Sequence, residues 1–169
     1  AIAMRADQAK RFAALVWCPI SNEFLFGCTA PIARLKEHAA ILFGTDSTLT
    51  APWNIWDHLR HARGHGALTD DELIAALTTN AARAWNLSNR GYIAAGAAAD
   101  IVVARKRHDD QREAFFAINP EDILLVLKNG VIVLLDASLR KQLRVDANLF
   151  PTVVNGVEKL ASENYVELA

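Results

Sequence analysis

Cysteine is scarce: the 169 residues contain two, Cys18 and Cys28. That is too few for a disulfide scaffold, and the pair lacks the CxxC spacing of a zinc site. No apolar run approaches the roughly 18 residues that a transmembrane helix requires. Residues 1–10 (AIAMRADQAK) lack the charged, apolar and cleavage regions of a signal peptide. There is no excess charge of either sign, since 18 Lys and Arg face 19 Asp and Glu for a formal net charge of -1. A nucleic-acid binder would need a basic surplus to neutralise phosphates, and a membrane-surface protein a polybasic patch; neither partner is expected. What is present suits a cytoplasmic folded protein. Hydrophobic residues make up 52% and charged residues 22%, enough to bury a core. Length alone suggests one domain. Met4 is the one methionine and Ala1 the first residue, which raises the expectation that the natural start lies elsewhere.

Periodicity divides the chain into two kinds of segment. In residues 5–16, Ala6, Ala9, Phe12, Ala13 and Val16 fall at helical spacing. They lead into residues 15–18 (LVWC), an apolar run stopped by Pro19 that suits a strand buried on both faces. Residues 20–30 (ISNEFLFGCTA) read as a loop. Pro31 suits the first turn of a helix reaching about His38, because its missing N–H is not needed there. Residues 40–43 (AILF) are strand-like again, followed by GTDS at 44–47. Strand, helix and strand within about thirty residues make a βαβ unit with parallel strands. A helix over 53–63 would place Ile55, Trp56, Leu59 and Ala62 on one face and end at Gly64 and Gly66. Thr69 and Glu72 form a capping-box pattern ahead of a helix presenting Leu73, Ile74, Leu77, Ala81 and Trp85. From about residue 90 the chain becomes β-rich. Residues 101–103 (IVV) read as a strand, and 105–113 (RKRHDDQRE) as a solvated loop that includes Asp109 and Asp110. Residues 123–135 read as a hairpin turning at Asn129-Gly130, a pair that tolerates the positive φ of a type I′ turn. Asn155-Gly156 offers a second.

Asp46 is the sharpest chemical feature. It follows an apolar strand and has small neighbours, Gly44 and Ser47. Catalytic groups in parallel α/β architecture collect at the C-terminal ends of strands. A carboxylate there can ligate a metal, act as a base, or do both. On spacing alone, a loop aspartate that caps the next helix is the commoner role. His58, His61 and His65 share a helical face, and His at i and i+4 can chelate zinc. No Glu follows the first His of that pair, however, so a solvent-facing polar stripe is the expectation. Cys18 has no basic neighbour to activate it and reads as a small buried hydrophobe. Asn22 is expected to bond backbone in its loop, Asp100 to start a strand, and Trp17, Trp53, Trp56 and Trp85 to pack.

Taken together, WCPISNEFLFG (17–27) and ILFGTDS (41–47) resemble the segments around barrel strands seven and eight of the amidohydrolase superfamily. The similarity is to its branch of cytosine and guanine deaminases, triazine chlorohydrolases and imidazolonepropionase-like enzymes. TTNAARAWNLSNRGYIAAGAAADIVV (78–103) resembles the stretch where the last barrel helix hands over to a β-sandwich, and ILLVLKNGVIV (123–133) the sandwich hairpin. The resemblance implies an α/β fold: C-terminal βα units of a metal-dependent (β/α)₈ barrel over 1–89, then part of a small β-sandwich over 90–169. It implies that Asp46 contacts a divalent metal, Zn or Fe, and shuttles protons during hydrolysis of a non-peptide C–N bond in a small-molecule substrate. Ser47 and Trp53 would help shape the substrate pocket.

The same resemblance also implies what this chain does without. Such enzymes carry an H-x-H on strand one and single histidines on strands five and six, and none of His38, His58, His61, His65 or His108 falls at those positions. Residues 1–4 (AIAM) resemble the stretch just after the strand-six histidine. A whole barrel needs about 250 residues. The expectation is therefore the C-terminal portion of a longer enzyme, inactive by itself, with no metal at the catalytic position and a tendency to self-associate through unpaired strand edges. The alternative is a non-catalytic binding or assembly module that reuses this sequence. An H-x-H encoded upstream would separate the two.

Overall fold

Two short apolar runs carry the first half of the chain. β1 (Ala14–Trp17) and β2 (Ala40–Phe43) pair in parallel, with Ala14 opposite Ala40 and Trp17 opposite Phe43. The ladder continues one step further, where the Gly44 N–H donates to the Trp17 carbonyl at 3.0 Å. A Cβ on Gly44 would lie 2.7 Å from Val16 Cγ1 and 3.0 Å from Cys18 Sγ, so the close approach of the two strand ends requires glycine there. In the computed structural model, which describes residues 5–145 and 148–163, the chain divides into two compact units, Ala1–Tyr92 and Ile93–Ala169. The resemblance noted for Ala1–Met4 lies outside the described residues.

In the first unit, α1 (Ala6–Ala9) precedes β1, and the connection from β1 to β2 runs through α2 (Pro19–Phe26) and α3 (Ile32–Leu35). α4 (Ile55–His65), α5 (Asp70–Leu77) and α6 (Thr79–Ala84) follow β2. Asn54 caps α4 by accepting from Trp56 N–H at 3.1 Å, and Gly66 ends it at φ +66°. The capping box of α5 forms as expected, with Glu72 N–H donating to Thr69 Oγ1 and Thr69 N–H to the Glu72 carboxylate. Leu15, Trp17, Ile32, Leu35, Ile41, Leu59, Leu73 and Ala82 are among the buried residues. Trp17 packs edge-on against Phe43, their ring centroids 6.0 Å apart, and donates from Nε1 to Thr29 Oγ1 at 2.7 Å.

The second unit is an antiparallel sheet in the order β3-β4-β5-β7-β6. Its strands are β3 (Ile101–Ala104), β4 (Ile123–Lys128), β5 (Val131–Asp136), β6 (Phe150–Val154) and β7 (Val157–Ala161). Both Asn-Gly pairs turn hairpins, at φ +51° and +78° for residues 129 and 130 and +47° and +79° for 155 and 156. Asp100 accepts from Asn129 N–H at 2.8 Å, which ties the start of β3 to the first turn. Leu135, Leu149 and Leu160 form the buried core. Lys159 is buried too. Its Nζ donates to the carbonyls of Glu121 (2.9 Å) and Ile123 (2.7 Å) and to Asp136 Oδ2 (2.7 Å). Among the described residues no helix is long and apolar enough to cross a membrane.

Several local expectations give way. The loop expected over 20–30 is largely the helix α2, with Pro19 in its first turn and Gly27 closing it at φ +66°. Its polar residues are unfavourable helix formers, but tertiary hydrogen bonds hold them: Ser21 bonds Asp46, and Asn22 accepts from Thr29 instead of bonding loop backbone. β1 is buried on one face only, since Val16 is 54% exposed. The helix expected over 5–16 shrinks to α1, and that after Pro31 to α3, with Pro31 at its N-cap. Gly64 lies inside α4. The helix starting at Asp70 breaks at Thr78 (φ −121°, ψ −91°), whose hydroxyl bonds back to the Ile74 carbonyl. Trp53 and Trp85 stand exposed instead of packing. Asp110 is not merely solvated; it caps a further helix, α7 (Gln111–Phe116), by accepting from Glu113 N–H.

Candidate functional site

Asp46 lies past the C-terminal end of β2, in a left-handed backbone conformation at φ +63°. Few residues other than Gly adopt that region, and Asp is among those that tolerate it. Ser21, fully buried in α2, donates through Oγ to Asp46 Oδ2 at 2.5 Å. Thr50 Oγ1 lies 2.9 Å from Ser21 Oγ and 3.0 Å from the Ser47 carbonyl; since Ser21 gives its proton to Asp46, the single Thr50 proton serves either Ser21, tying the Asp46 turn to α2, or Ser47 within the turn. Among the described residues Ser21 is the only side chain bonded to the carboxylate, which leaves Oδ1 open. The position is exposed. One oxygen is thus fixed and the other free to accept a proton or bind a cation.

The other candidates in this loop have local roles. Ser47 Oγ accepts from Leu49 N–H at 3.2 Å, and its carbonyl accepts from the N–H groups of Thr50 and Ala51. Trp53 is 63% exposed, next to the Asn54 cap. The carboxylate of Asp46 is bonded by Ser21, with Thr50 beside that hydroxyl, and neither is a candidate from the sequence alone; neither Ser47 nor Trp53 bonds the carboxylate. Cys18 sits between β1 and α2; burial first, then the negative charge of Asp46, push its thiol above the ordinary range, outweighing the lowering by an Asp46 backbone hydrogen bond. A protonated thiol is a poor nucleophile.

The histidines of α4 separate rather than forming one solvent-facing stripe. His58 is fully buried and its Nε2 lies 2.7 Å from the Pro52 carbonyl, which fixes the proton on that nitrogen. His61 and His65 turn towards α2 and share one carboxylate. Glu23 Oε2 lies 2.8 Å from His61 Nε2, and Glu23 Oε1 lies 2.5 Å from His65 Nε2. These residues, with Arg60 and Gly64, line a cleft of about 350 Å³. Reading 20–30 as a loop hid Glu23, because only helix α2 aims it at α4.

The profile of the amidohydrolase family matches residues 3–133. The chain belongs to that family. None of the curated proteins matches it. Among solved structures, this amidohydrolase chain is similar to a triazine hydrolase variant (21% identity, TM-score 0.62). It is also similar to E. coli guanine deaminase (18%, TM-score 0.64) and to the zinc complex of atrazine chlorohydrolase TrzN from Arthrobacter aurescens TC1 (20%, TM-score 0.62). Each match covers 79% of this chain but 34%, 37% and 34% of the respective partner. The chain therefore spans about a third of the length of the structures it matches. At these identities the likeness is one of fold, and the α/β architecture expected from the motifs is the one found.

An open catalytic metal site is commonly held by three protein ligands. Asp46 offers one. Among the described residues the only trio with ligand atoms within 4.8 Å of one another is Glu23, His61 and His65, which excludes Asp46. The described residues of this amidohydrolase chain therefore do not complete a metal centre at Asp46.

Proposed function

We propose that the chain is the C-terminal part of a metal-dependent amidohydrolase, to which it contributes the proton-transferring carboxylate. The observation that carries this reading is Asp46 itself. It stands at the C-terminal end of a parallel strand in a strained backbone, with one oxygen held by a buried hydroxyl and the other open. The half-covered parallel pair supports it, because parallel sheets are ordinarily covered on both faces.

In this reading a small molecule bearing a hydrolysable C–N bond, of the deaminase kind, meets a water beside Asp46. Oδ1 takes a proton from that water as its oxygen attacks the sp² carbon, and returns a proton to the departing nitrogen, giving an amine or ammonia and a carbonyl product. Ser21 keeps the carboxylate aimed through Oδ2. Ser47 and Trp53 border the pocket. The divalent metal, zinc or iron, belongs with ligands in the remainder of the protein, and a cytoplasmic setting that keeps Cys18 and Cys28 as thiols completes the picture.

The 169-residue chain supplied with zinc or iron should release no ammonia from amino-substituted heterocycles; turnover with stoichiometric metal would overturn the claim that it is inactive alone. In the complete protein, Asp46→Asn should lower kcat by about 10²–10⁴-fold, the usual size of a lost general acid–base; unchanged turnover would remove Asp46 from the mechanism. The isolated chain should also self-associate, because among the described residues β1 and β2 each leave one edge unpaired. Light scattering over a concentration series checks this, and a strict monomer would refute it.

A further inference from the structure

The trio on α2 and α4 is not explained by the chemistry of Asp46. Ser21 and Glu23 are two positions apart in α2, so they leave the helix in different directions. Ser21 holds Asp46, whereas Glu23 meets α4. On α4, His61 and His65 are separated by one turn and lie side by side, their ring centroids 5.1 Å apart. Their Nε2 atoms converge on the two oxygens of one carboxylate, at 2.8 and 2.5 Å.

We propose that Glu23, His61 and His65 form a zinc-class transition-metal site that pins α2 to α4. Two imidazoles and a carboxylate are the donors such an ion favours, and three protein ligands leave one position for water. All three ligand atoms already lie within 4.8 Å of one another. A tetrahedral ion about 2.0–2.2 Å from nitrogen and oxygen needs them roughly 3.3 Å apart, so side-chain adjustment of about 1 Å suffices. On binding, any proton on Nε2 of either imidazole moves to Nδ1 or leaves to solvent, and the ion takes its place between ring and carboxylate.

The surroundings suit a built site. Both ends of α4 are capped, by Asn54 and Gly66, which fixes the spacing of the two histidines. The Trp17 ring lies 6.0 Å from that of His65 and limits its rotation. The open position faces the cleft of about 350 Å³, which a hydrated ion can enter. Arg60 lines that cleft but is held by Asp57 at 2.5 Å, which offsets its charge towards an incoming cation.

Calorimetric titration of the metal-free chain with zinc tests the site independently of any activity. One equivalent should bind with a Kd of about 1 μM or below, and magnesium, which prefers all-oxygen sites, should not compete. Cobalt in place of zinc should give the visible absorption of a four- or five-coordinate ion. His65→Gln and Glu23→Gln should each weaken zinc binding by at least about tenfold, since even loss of a group behind a ligand costs that much. Asp46→Asn should leave the affinity unchanged, which separates this site from the reading given for Asp46. Both His65 and Glu23 are partly exposed, and circular dichroism verifies that the variants fold. Absence of stoichiometric binding, or binding that both substitutions leave intact, overturns the proposal.

Discussion

Asp46 in the first unit and Asp136 in the second both sit at or just past the end of a β-strand, and their surroundings are opposite. Asp136 is buried and both its oxygens are used: Oδ2 accepts from Lys159 Nζ at 2.7 Å, and Oδ1 accepts from Ser138 Oγ at 2.6 Å and Ser138 N–H at 3.1 Å. Lys159 in turn spends its three protons on Asp136 and two carbonyls. Asp46 is exposed, lies in the left-handed region at φ +63°, and has one oxygen bonded among the described residues. A carboxylate whose acceptors are consumed inside the protein can only hold structure. One that keeps an open oxygen in a left-handed backbone suits the proton transfer proposed for Asp46.

The largest stability effect follows from that contrast. Asp136→Ala strands a buried ammonium, and removing one partner of such a pair costs about 3–5 kcal/mol. Asp46→Asn leaves no buried charge and keeps a side chain that tolerates positive φ, so its unfolding free energy should stay within about 0.5 kcal/mol of the parent. Chemical denaturation of the two variants side by side checks this, and equal losses would erase the distinction. Acid sharpens it. Burial alone would raise Asp136, but the hydrogen bonds from Lys159 and Ser138 outweigh it and hold the carboxyl below its ordinary 3.8. The folded protein therefore binds fewer protons there than the unfolded chain. Its contribution is present in full above that ordinary value and is lost as pH falls through the lower folded value. Denaturation as a function of pH should show a steeper acid limb for the parent than for Asp136→Ala.

A smaller loss tests how the Asp46 turn is set. Gly44→Ala places a methyl 2.7 Å from Val16 Cγ1 and 3.0 Å from Cys18 Sγ. Val16 is β-branched and stiff, so the strand ends must part, at about 1–3 kcal/mol for overpacking of this kind. Urea denaturation gives the cost. On the role proposed for Asp46, kcat of the complete protein should fall as well, because Asp46 is two residues beyond Gly44.

Local chemistry was the legible part of this sequence. The Asn-Gly hairpins and the Thr69–Glu72 box each depend on a few neighbouring residues, and the parallel pair follows from two apolar runs joined by a long crossover; each forms as the pattern implies. Features set by partners far along the chain were not legible. Residues 20–30 read as a loop because Asn22 and Gly27 break a helix locally, and the groups that hold Ser21 and Asn22, namely Asp46 and Thr29, become neighbours only on folding. Without the helix α2, nothing in the sequence aims Glu23 at His61 and His65. Lys159 was invisible for the same reason, since nothing within its own strand announces the three acceptors that bury it.

The smallest effect compares the two units at their helix starts. Thr69 accepts from Glu72 N–H at 3.2 Å in the first, and Asp110 accepts from Glu113 N–H at 2.9 Å in the second. Each substitution to Ala should cost about 1 kcal/mol, the usual worth of an N-cap, or about 2–4 °C in Tm for a chain of this size. The two should nevertheless differ. Glu72 is also gripped by Lys36, whose Nζ lies 2.9 and 2.8 Å from its two oxygens, and that hydrogen bond is the main reason its carboxyl is held below the ordinary range. Lys36 therefore continues to hold Glu72, and with it the first turn of α5, after Thr69→Ala. Asp110 stands at the start of a helix of six residues, which has little further length to hold it. Thermal unfolding should then show Asp110→Ala as the costlier change, and a larger loss at Thr69 would mean that the Lys36 bond does not support α5.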